Sequence, residues 1–442
     1  MKRILPAVIV AGALCFRFSM MAAALRHPER AASGNDERVH VNLAEAMLRG
    51  DGFTLNPGPS GPRNITRVPV YPSLVAAARM SAGPRFIGAL IVFQNLLALA
   101  VSAMIFLFVA PRYGRGAAWV ALLISLADVP TVLFSDLLLT EIPYTFLSLA
   151  GMILFTVMRE GARPYRAAVL AGAAAALAAL CRPIHQFVPF LFVFAHAATR
   201  RGARASAGPV ALFLCAYAAG IAPWLARNHH VYGKAELTHL GVVDVYLYKA
   251  GGALAVAKGR GIEEVKADLE RKALDDWGIV NINEDPRGRE MIPFAMSTIA
   301  RHPLAFSVST LAGVAGNALM PEKGALYRLM GASAPRLGLL WGGRAGGAAG
   351  SAGGGAFGLA GMAFIAFQAA LLCGVYALIA WGFAARRIRA GDFILLISTL
   401  MVAYYYLAPA GPEATARFRV PAVPYLCILA AACVGRRAQG GE

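Results

Sequence analysis

Charged side chains are scarce in this sequence, and their scarcity sets the class of protein. Asp, Glu, Lys and Arg make up 15% of its 442 residues, whereas soluble domains average roughly 25%. Hydrophobic residues make up 58% of the chain. A soluble globule has too little interior to cover so much apolar surface, so the composition indicates a polytopic membrane protein.

Acidic residues are scarcer still, with 24 Asp and Glu against 42 Lys and Arg and a net charge of +18. In a soluble protein this excess would indicate a nucleic-acid partner. Here most of the basic residues lie in short loops between apolar runs, where cytoplasmic loops are expected to carry them. Nucleic-acid binding is therefore excluded as a function class.

Several chemical motifs are absent as well. The six cysteines lie inside apolar runs and form no CxxC pair, which excludes a disulfide framework and a zinc site and predicts small buried side chains. His229, His230 and His239 have no further ligands at metal-binding spacing, so no metal is predicted, although a divalent ion stays possible. The sequence has no Walker loop or dinucleotide fingerprint, which argues against a nucleotide donor used inside the cell.

The apolar runs predict about ten transmembrane helices, or eleven or twelve if further segments cross. The first is predicted to be an uncleaved helix, because its apolar stretch is longer than a signal h-region and Arg17 interrupts it. Basic residues in the short loops place both termini in the cytoplasm, which requires an even number of spans. The predicted spans are 4–25, 86–110, 117–135, 137–158, 167–181, 184–199, 207–226, 357–384, 392–410 and 420–435.

The spans divide the chain into an N-terminal core (1–226), a long outer segment (227–356) and C-terminal spans (357–442). A first outer segment (26–85) contains an amphipathic pattern over 39–50 that ends at a glycine. The second outer segment contains a predicted soluble helix, IEEVKADLERKALDDWG, and a Gly-rich linker over 342–355. Residues 303–320 are apolar enough to cross, but crossing would invert the later loops, so a surface or re-entrant helix is predicted.

Ionisable residues near span ends gather on one predicted face, and intramembrane charges are usually functional. Acids and arginines together there suggest a site for a phosphorylated, membrane-borne molecule. The acid pair Asp36-Glu37 follows the first span, and a loop carboxylate can act as a general base. Each of these charged residues also has a structural interpretation, as a solvated loop acid, an acid at a helix end, a partner of an arginine, or a side chain that snorkels to the membrane interface. The charges near span ends are Arg17, Asp128, Asp136, Glu141, Arg182, Arg227, Arg417 and Arg419.

Seven short segments, taken in order, resemble the GT-C superfamily of polyprenyl-phosphate-sugar-dependent glycosyltransferases. The closest branch is family 39-like and holds the protein O-mannosyltransferases and the lipid A aminoarabinose transferase. The resemblance covers roughly residues 35 to 424, and it departs from the family at His40, where relatives commonly carry Tyr. The segments are NDERVHVNLAEAMLRGDGF (35–53), RVPVYP (67–72), Gln94, LLLTE (137–141), LCRP (180–183), PWLARN (223–228) and ARFRVPAVP (416–424).

The resemblance implies transfer of a hexosyl or pentosyl group, with inversion, from a polyprenyl (undecaprenyl) phosphate to a lipid, glycan or protein acceptor. It implies a multi-pass protein of the bacterial inner membrane with a periplasmic active site. Asp36 matches the catalytic base, with Glu37 in a positional or assisting role. Guanidinium forks suit the leaving phosphate, and the candidates are Arg182, Arg227, Arg417, Arg419 and Arg17. Glu141, His40 and Tyr71 are predicted to contact the acceptor or to be structural.

Two other function classes stay open at this point. A transporter or flippase of lipid-linked intermediates would show internal repeats and unwound helices at mid-bilayer, and no clear repeat is present. A non-catalytic partner with the same fold would keep the architecture without turnover.

Overall fold

The protein is described by a computed structural model over residues 4–55, 64–161, 163–199, 207–283, 285, 288, 290–331, 355–388 and 391–435. This part of the chain is helical and has no β-strand, which confirms the predicted all-α class. The α-helices are α1 (Ile4–Arg26), α2 (Pro28–Ala31), α3 (Asn35–Arg49), α4 (Val70–Ala82), α5 (Phe86–Tyr113), α6 (Arg115–Ala127), α7 (Val129–Ser135), α8 (Glu141–Arg159), α9 (Pro164–Cys181), α10 (Val188–Ala198), α11 (Ala207–Tyr232), α12 (Leu240–Val243), α13 (Gly251–Lys258), α14 (Ile262–Trp277), α15 (Met291–Arg301), α16 (Pro303–Leu319), α17 (Gly324–Met330), α18 (Gly355–Ala384), α19 (Phe393–Leu407) and α20 (Val423–Val434). Tighter 3₁₀ turns occupy Gly83–Arg85, Pro183–Phe187 and Ala416–Ala422, and a π-helical stretch occupies Asp244–Ala250.

Eight helical segments in the described ranges are long and apolar enough to cross a membrane, and ten if two bent pairs each count as one span. The pairs are α6 with α7, bent by 54°, and α16 with α17, bent by 50°. The chain is therefore a multi-pass membrane protein, as predicted. The predicted spans 184–199 and 392–410 correspond to shorter helices, and the apolar stretch Leu240–Lys258 falls inside a segment predicted to lie outside the membrane.

The cysteines divide evenly between the interior and the outer surface of the bundle. Cys181, Cys427 and Cys433 are buried, whereas Cys15, Cys215 and Cys373 are exposed, and all six are free thiols. The prediction that all six are buried is therefore wrong for three of them. Lipid-facing residues of a span are as apolar as buried ones, so hydrophobicity does not separate the two environments.

Close packing of small residues joins α9 to α11. A Cβ atom added at Gly172 of α9 would lie 2.5 Å from the Phe213 carbonyl oxygen and 2.7 Å from the Ala216 Cβ atom. A Cβ atom added at Gly220 of α11 would lie 2.5 Å from the Ala176 Cβ atom. Small residues at such contacts let helix backbones approach closely in a membrane, where apolar burial contributes little to helix association.

We expect Gly172→Ala to destabilise the protein, because the new methyl group meets a backbone oxygen that cannot rotate away. Overpacking of this kind typically costs about 1–3 kcal/mol. The midpoint of thermal unfolding in detergent, followed by tryptophan fluorescence, measures the effect. The matched control is Gly374→Ala in α18, where no atom lies within 4 Å of the added Cβ. Equal midpoints for both variants would contradict the close α9–α11 contact.

The helices over residues 240–301 form a small unit, here called the cap, with its own hydrophobic core. Tyr246, Leu269, Ala273 and Met291 are among its buried residues. The Tyr246 hydroxyl donates a hydrogen bond to the Leu269 carbonyl oxygen at 2.9 Å. The cap therefore packs as a unit beside the bundle and presents the polar side chains of its π-helical stretch to the cavity described below.

Both predicted soluble helices are present. The amphipathic pattern over 39–50 forms the C-terminal part of α3, which buries Leu43 and Ala46 and ends at Gly50, where a φ of 84° favours glycine. The helix predicted from Ile262 is α14, which buries Val265 and Leu269. The predicted span 117–135 is instead bent at Asp128, and 303–320 forms α16 of a bent pair. The predicted linker, but for Gly355, lies outside the described residues.

Candidate active site

A carboxylate held by two arginines lies at the centre of the site. Asp36, in the first turn of α3, accepts a hydrogen bond from Arg67 Nη2 at 2.5 Å and one from Arg417 Nη1 at 2.6 Å. The two donors reach different carboxylate oxygens, Oδ1 and Oδ2. The N-terminal end of a helix also favours a negative charge. The site therefore brings together three segments that are far apart in the sequence.

A second carboxylate extends the cluster. Glu141, fully buried at the start of α8, accepts a hydrogen bond from Arg182 Nη1 at 2.6 Å and another from Arg417 Nε. Arg182 directly follows α9, and Arg417 lies in the 3₁₀ turn before α20. Arg417 therefore joins the two carboxylates, and Glu141 fixes the positions of two guanidinium groups. The predicted structural role for Glu141, as an arginine partner, fits these contacts.

A cavity of about 850 Å³ opens beside this cluster. Asp36, Arg67, Arg182 and Arg417 are among its lining residues, and both apolar and polar side chains make up the rest. The volume lies within the range of about 300–1,000 Å³ that is usual for small-molecule sites.

The arginines also control the protonation of α3 side chains. Burial alone would raise the pKa of Asp36, but the positive charges of Arg417 and Arg67 outweigh it and hold the pKa well below its usual range. Burial and the neighbouring Arg67 lower the pKa of His40 to about 3. At neutral pH the cavity therefore contains a charged carboxylate next to a neutral imidazole.

No protein-family model and no curated protein matches this sequence. Solved structures do match it in three dimensions. The oligosaccharyltransferase AglB from Archaeoglobus fulgidus, in complex with an inhibitory peptide and a dolichol-phosphate, superposes with a TM-score of 0.51 at 14% identity. The apo form of the Archaeoglobus fulgidus oligosaccharyltransferase gives 0.52 at 16% identity over 97% of this chain. The chain has the GT-C fold.

The match extends over nearly all of this chain but over only part of the longer oligosaccharyltransferase. The two superpositions cover 94% and 97% of this chain but 50% of the oligosaccharyltransferase, so the chain spans about half of that protein. ArnT from Cupriavidus metallidurans, in the apo state, gives a TM-score of 0.36 at 12% identity, over 90% of this chain and 72% of that one. That value is too low to support an argument.

Within this GT-C fold, Glu37 points away from the cavity. Its buried carboxylate pairs with Arg328 Nη1 of α17. Arg30 donates a hydrogen bond to the Leu329 carbonyl oxygen at 3.2 Å, a second link between α17 and the start of the outer segment. Glu37 therefore fixes α3 against α17, and its positional or assisting role in a reaction stays a prediction.

Two further candidates, His40 and Tyr71, connect the cluster to the bundle. Their rings meet edge to face at 4.9 Å, and His40 lines the cavity whereas Tyr71 is fully buried. The Tyr71 hydroxyl donates to Gln94 Oε1 at 2.8 Å, and Gln94 Nε2 donates to the Leu137 carbonyl oxygen at 2.7 Å. The contacts therefore reach the segment that leads to Glu141.

Arg17 does not line the cavity. Its side chain is fully buried, and Nη1 donates to Asn95 Oδ1 and to Ser135 Oγ, both at 3.1 Å. Asn95 Nδ2 in turn donates to Asp136 Oδ1 at 2.7 Å. The network ties α1 and α5 to the segment between α7 and α8.

Asp128 has the expected helix-end role, since it accepts from the Thr131 backbone N–H at 3.0 Å.

The other two arginines predicted to bind phosphate also lie off the cavity lining. Arg419 is fully buried, and Nη1 donates to the carbonyl oxygens of Asn317 at 2.7 Å and Ala318 at 3.1 Å, near the end of α16. A cation there satisfies backbone acceptors at a helix C-terminus. Arg227 donates to the Asn64 carbonyl oxygen at 3.2 Å and so supports the first outer segment.

Sequence reasoning missed Arg67 as a site residue. It begins the RVPVYP segment, but it lies in a Pro-rich loop with no periodicity that would indicate the direction of its side chain.

Within the described residues, no group of three or more His, Cys, Asp or Glu side chains could hold a metal ion. His239 is fully buried next to Glu236, at 3.6 Å, and does not change that finding.

Proposed function

We propose that the protein is an inverting glycosyltransferase that moves a sugar from a polyprenyl phosphate to an acceptor hydroxyl. The observation that carries the proposal is the convergence of Asp36 with Arg67, Arg182 and Arg417 on one cavity. A GT-C fold supports it, and so does the dolichol-phosphate present in the AglB complex of the same fold.

The arginines provide the electrostatic part of the reaction. The acceptor oxygen attacks the anomeric carbon, the bond from that carbon to the phosphate oxygen breaks, and the bonding electrons leave with the phosphate. Fixed guanidinium groups are complementary to the charge that grows on the phosphate oxygens. Arg182, Arg417 and Arg67 are placed for this role, because Glu141 and Asp36 already hold them at the cavity wall.

Asp36 provides the proton acceptor. As the acceptor oxygen attacks, its proton transfers to an Asp36 carboxylate oxygen, and a single displacement inverts the anomeric configuration. Burial and Arg67 hold the pKa of His40 beside it at about 3, so its imidazole is neutral at neutral pH. In the empty site Asp36 is bound by two arginines, so the donor phosphate has to compete with it for them.

We expect this competition to appear in the acid limb of the pH–rate profile. Arg417 and Arg67 hold the pKa of Asp36 low in the free enzyme, and a phosphate that takes over those guanidinium groups raises it towards about 4. Because the base must be deprotonated, kcat should fall with acidification at a higher pH than kcat/KM, which reports the free enzyme. If kcat instead falls at the same pH as kcat/KM, or at a lower pH, the transfer of the arginines from Asp36 to the phosphate is contradicted.

The membrane side is part of the same proposal. We place the cavity on the periplasmic face of a bacterial inner membrane, with both termini in the cytoplasm. Its support is the sequence pattern of arginines in the short loops, including Arg112, Arg159 and Arg166. Cysteines introduced at the exposed positions 260, in the cap, and 385, after α18, would be labelled from outside at 260 and protected at 385. Labelling at 385 and protection at 260 would place the cavity on the cytoplasmic face.

The function is tested with purified protein in lipid nanodiscs and a set of undecaprenyl-phosphate sugars. An enzyme releases undecaprenyl phosphate from at least one donor in the presence of acceptor extract, which chromatography of the lipid product measures. A flippase would instead move a fluorescent lipid-linked sugar across a vesicle membrane without cleaving it. Movement without cleavage, or binding without either, would contradict the proposal.

A further inference from the structure

The cavity extends well beyond the ion-pair cluster, into a region that the proposed reaction does not use. Part of its lining, here called the polar end, consists of polar residues of the cap and of the loop after α19: Asp244, Tyr248, Lys249, Asn281, Asn283 and Glu413. We propose that this polar end binds the transferred sugar of the donor, that the sugar is non-acidic, and that Asp244 and Asn283 select it. The inference rests on the proposed function and names the substrate class of the same site.

The turn after α9 connects Arg182 to an apolar part of the cavity lining. Arg182 and Phe187 stand at opposite ends of the turn after α9, and both line the cavity. Phe187 is also 57% exposed on the apolar outer surface of the bundle. The cavity is therefore apolar and open towards the lipid-facing side on one flank of Arg182.

A polar part of the lining adjoins Arg417. Arg417 joins Arg182 through Glu141, and Glu413 precedes Arg417 by four residues along the same cavity wall. Glu413 Oε1 lies 3.5 Å from Lys266 Nζ of the cap, and the Lys266 ammonium lies 4.8 Å from the centre of the Tyr248 ring. Arg182 and Arg417 are thus linked to Phe187 on one side and to Glu413 on the other. A lipid phosphate held by these arginines, with its tail beside Phe187, would have the polar residues next to Glu413 available to its sugar.

The π-helical stretch Asp244–Ala250 aims the cap side chains at this end. Hydrogen bonds from i to i+5 widen the turn, and such stretches occur frequently at functional sites. They place Asp244 on the same face as Tyr248 and Lys249, and all three line the cavity. A rare helix geometry therefore coincides with the polar end.

The groups left available at the polar end suit hydroxyl groups. In the described part of the chain, no hydrogen bond to the Asp244 carboxylate is present, and the Asn283 carboxamide likewise has no partner. A carboxylate and a carboxamide facing a cavity accept from, or donate to, sugar hydroxyls.

The cations of this region are already engaged. Lys249 Nζ donates to the Ala408 carbonyl oxygen at 3.0 Å and also to that of Ala410, and Lys266 pairs with Glu413. An acidic sugar would have to compete for these ammonium groups and would meet the carboxylate of Asp244, to which no described residue donates a hydrogen bond.

The test compares binding of bare undecaprenyl phosphate with binding of the same lipid carrying a neutral hexose, an N-acetylhexosamine, a pentose or a uronic acid. Wild-type protein is expected to bind at least one non-acidic donor about tenfold or more tighter than the bare lipid, and the uronic acid donor no tighter. Asp244→Asn should remove about ten- to a hundredfold of the donor affinity, the usual range for a hydrogen bond to a charged group. The bare lipid should bind within about twofold of wild type.

Asp275→Asn, on the exposed surface of α14, is the matched control and should bind every lipid as wild type does. Asn283→Ala removes an exposed side chain and serves as the second variant if Asp244→Asn does not fold. Equal wild-type binding of bare and sugar-bearing lipid would overturn this inference and leave the proposed function standing. A higher KM for acceptor with unchanged donor affinity would assign the polar end to the acceptor and overturn it too. Binding of none of the lipids would remove the proposed function itself.

Discussion

Asp36→Asn is expected to slow sugar transfer by about 10²–10⁴-fold, the usual contribution of a general base. Asparagine has nearly the same shape as aspartate but cannot accept the proton of the attacking hydroxyl. The variant also removes the negative charge that occupies Arg67 and Arg417 in the empty site. Donor binding should therefore be unchanged or tighter, while turnover nearly vanishes. Single-turnover cleavage and equilibrium binding of one donor, measured on the same preparation, separate the two effects.

The control for this prediction is Asp275→Asn, which makes the same chemical change on the exposed face of α14. It should leave both rate and affinity unchanged. A second control, Glu37→Gln, weakens the pair with Arg328 outside the cavity and should reduce stability more than the rate of the chemical step. Turnover of Asp36→Asn within about threefold of wild type would show that another group takes the proton.

Local pattern was sufficient to predict parts of the fold from the sequence. The amphipathic spacing and the terminal glycine located α3 and α14, because both signals depend on neighbouring residues alone. The bend at Asp128 also has a local signal that the prediction of span 117–135 did not use, since Asp128 caps α7 and Pro130 follows it. The shorter helices α10 and α19 were read as full spans, since apolar composition does not show where a helix ends inside a protein.

Part of the candidate site could also be predicted from the sequence. Charge at a span end predicts that a residue lies near one face of the membrane, and Asp36, Glu141, Arg182 and Arg417 do contact one another in the structure. The same signal cannot show the direction in which a guanidinium group points. Arg417 and Arg419 are two residues apart in one helical turn, and residues at that spacing do not face each other. One lines the cavity, and the other is buried near the end of α16.

Arg417→Gln is expected to reduce both stability and catalysis, because this one side chain holds Asp36 and Glu141 together. Glu141 is fully buried, and removing one partner of a buried charge typically costs about 3–5 kcal/mol. Arg182 still pairs with Glu141, which places the expected loss at the lower end of that range. Arg417→Lys keeps the charge but cannot donate from two different nitrogens to two carboxylates, so it should restore little.

The double variant Glu141→Gln/Arg417→Gln separates the structural part of that loss from the catalytic part. Neutral glutamine at 141 leaves no buried carboxylate without its partner, so the thermal midpoint should recover towards wild type. Turnover should stay low, because the phosphate has still lost the guanidinium group between Asp36 and Arg182. Recovery of both stability and rate in the double variant would show that Arg417 acts only as a structural counter-ion. Recovery of stability alone would show that the rate depends on the guanidinium groups of this cluster, where Arg417 is lost and Arg182 no longer pairs with Glu141, because a fixed positive charge lowers the barrier by stabilising the leaving group.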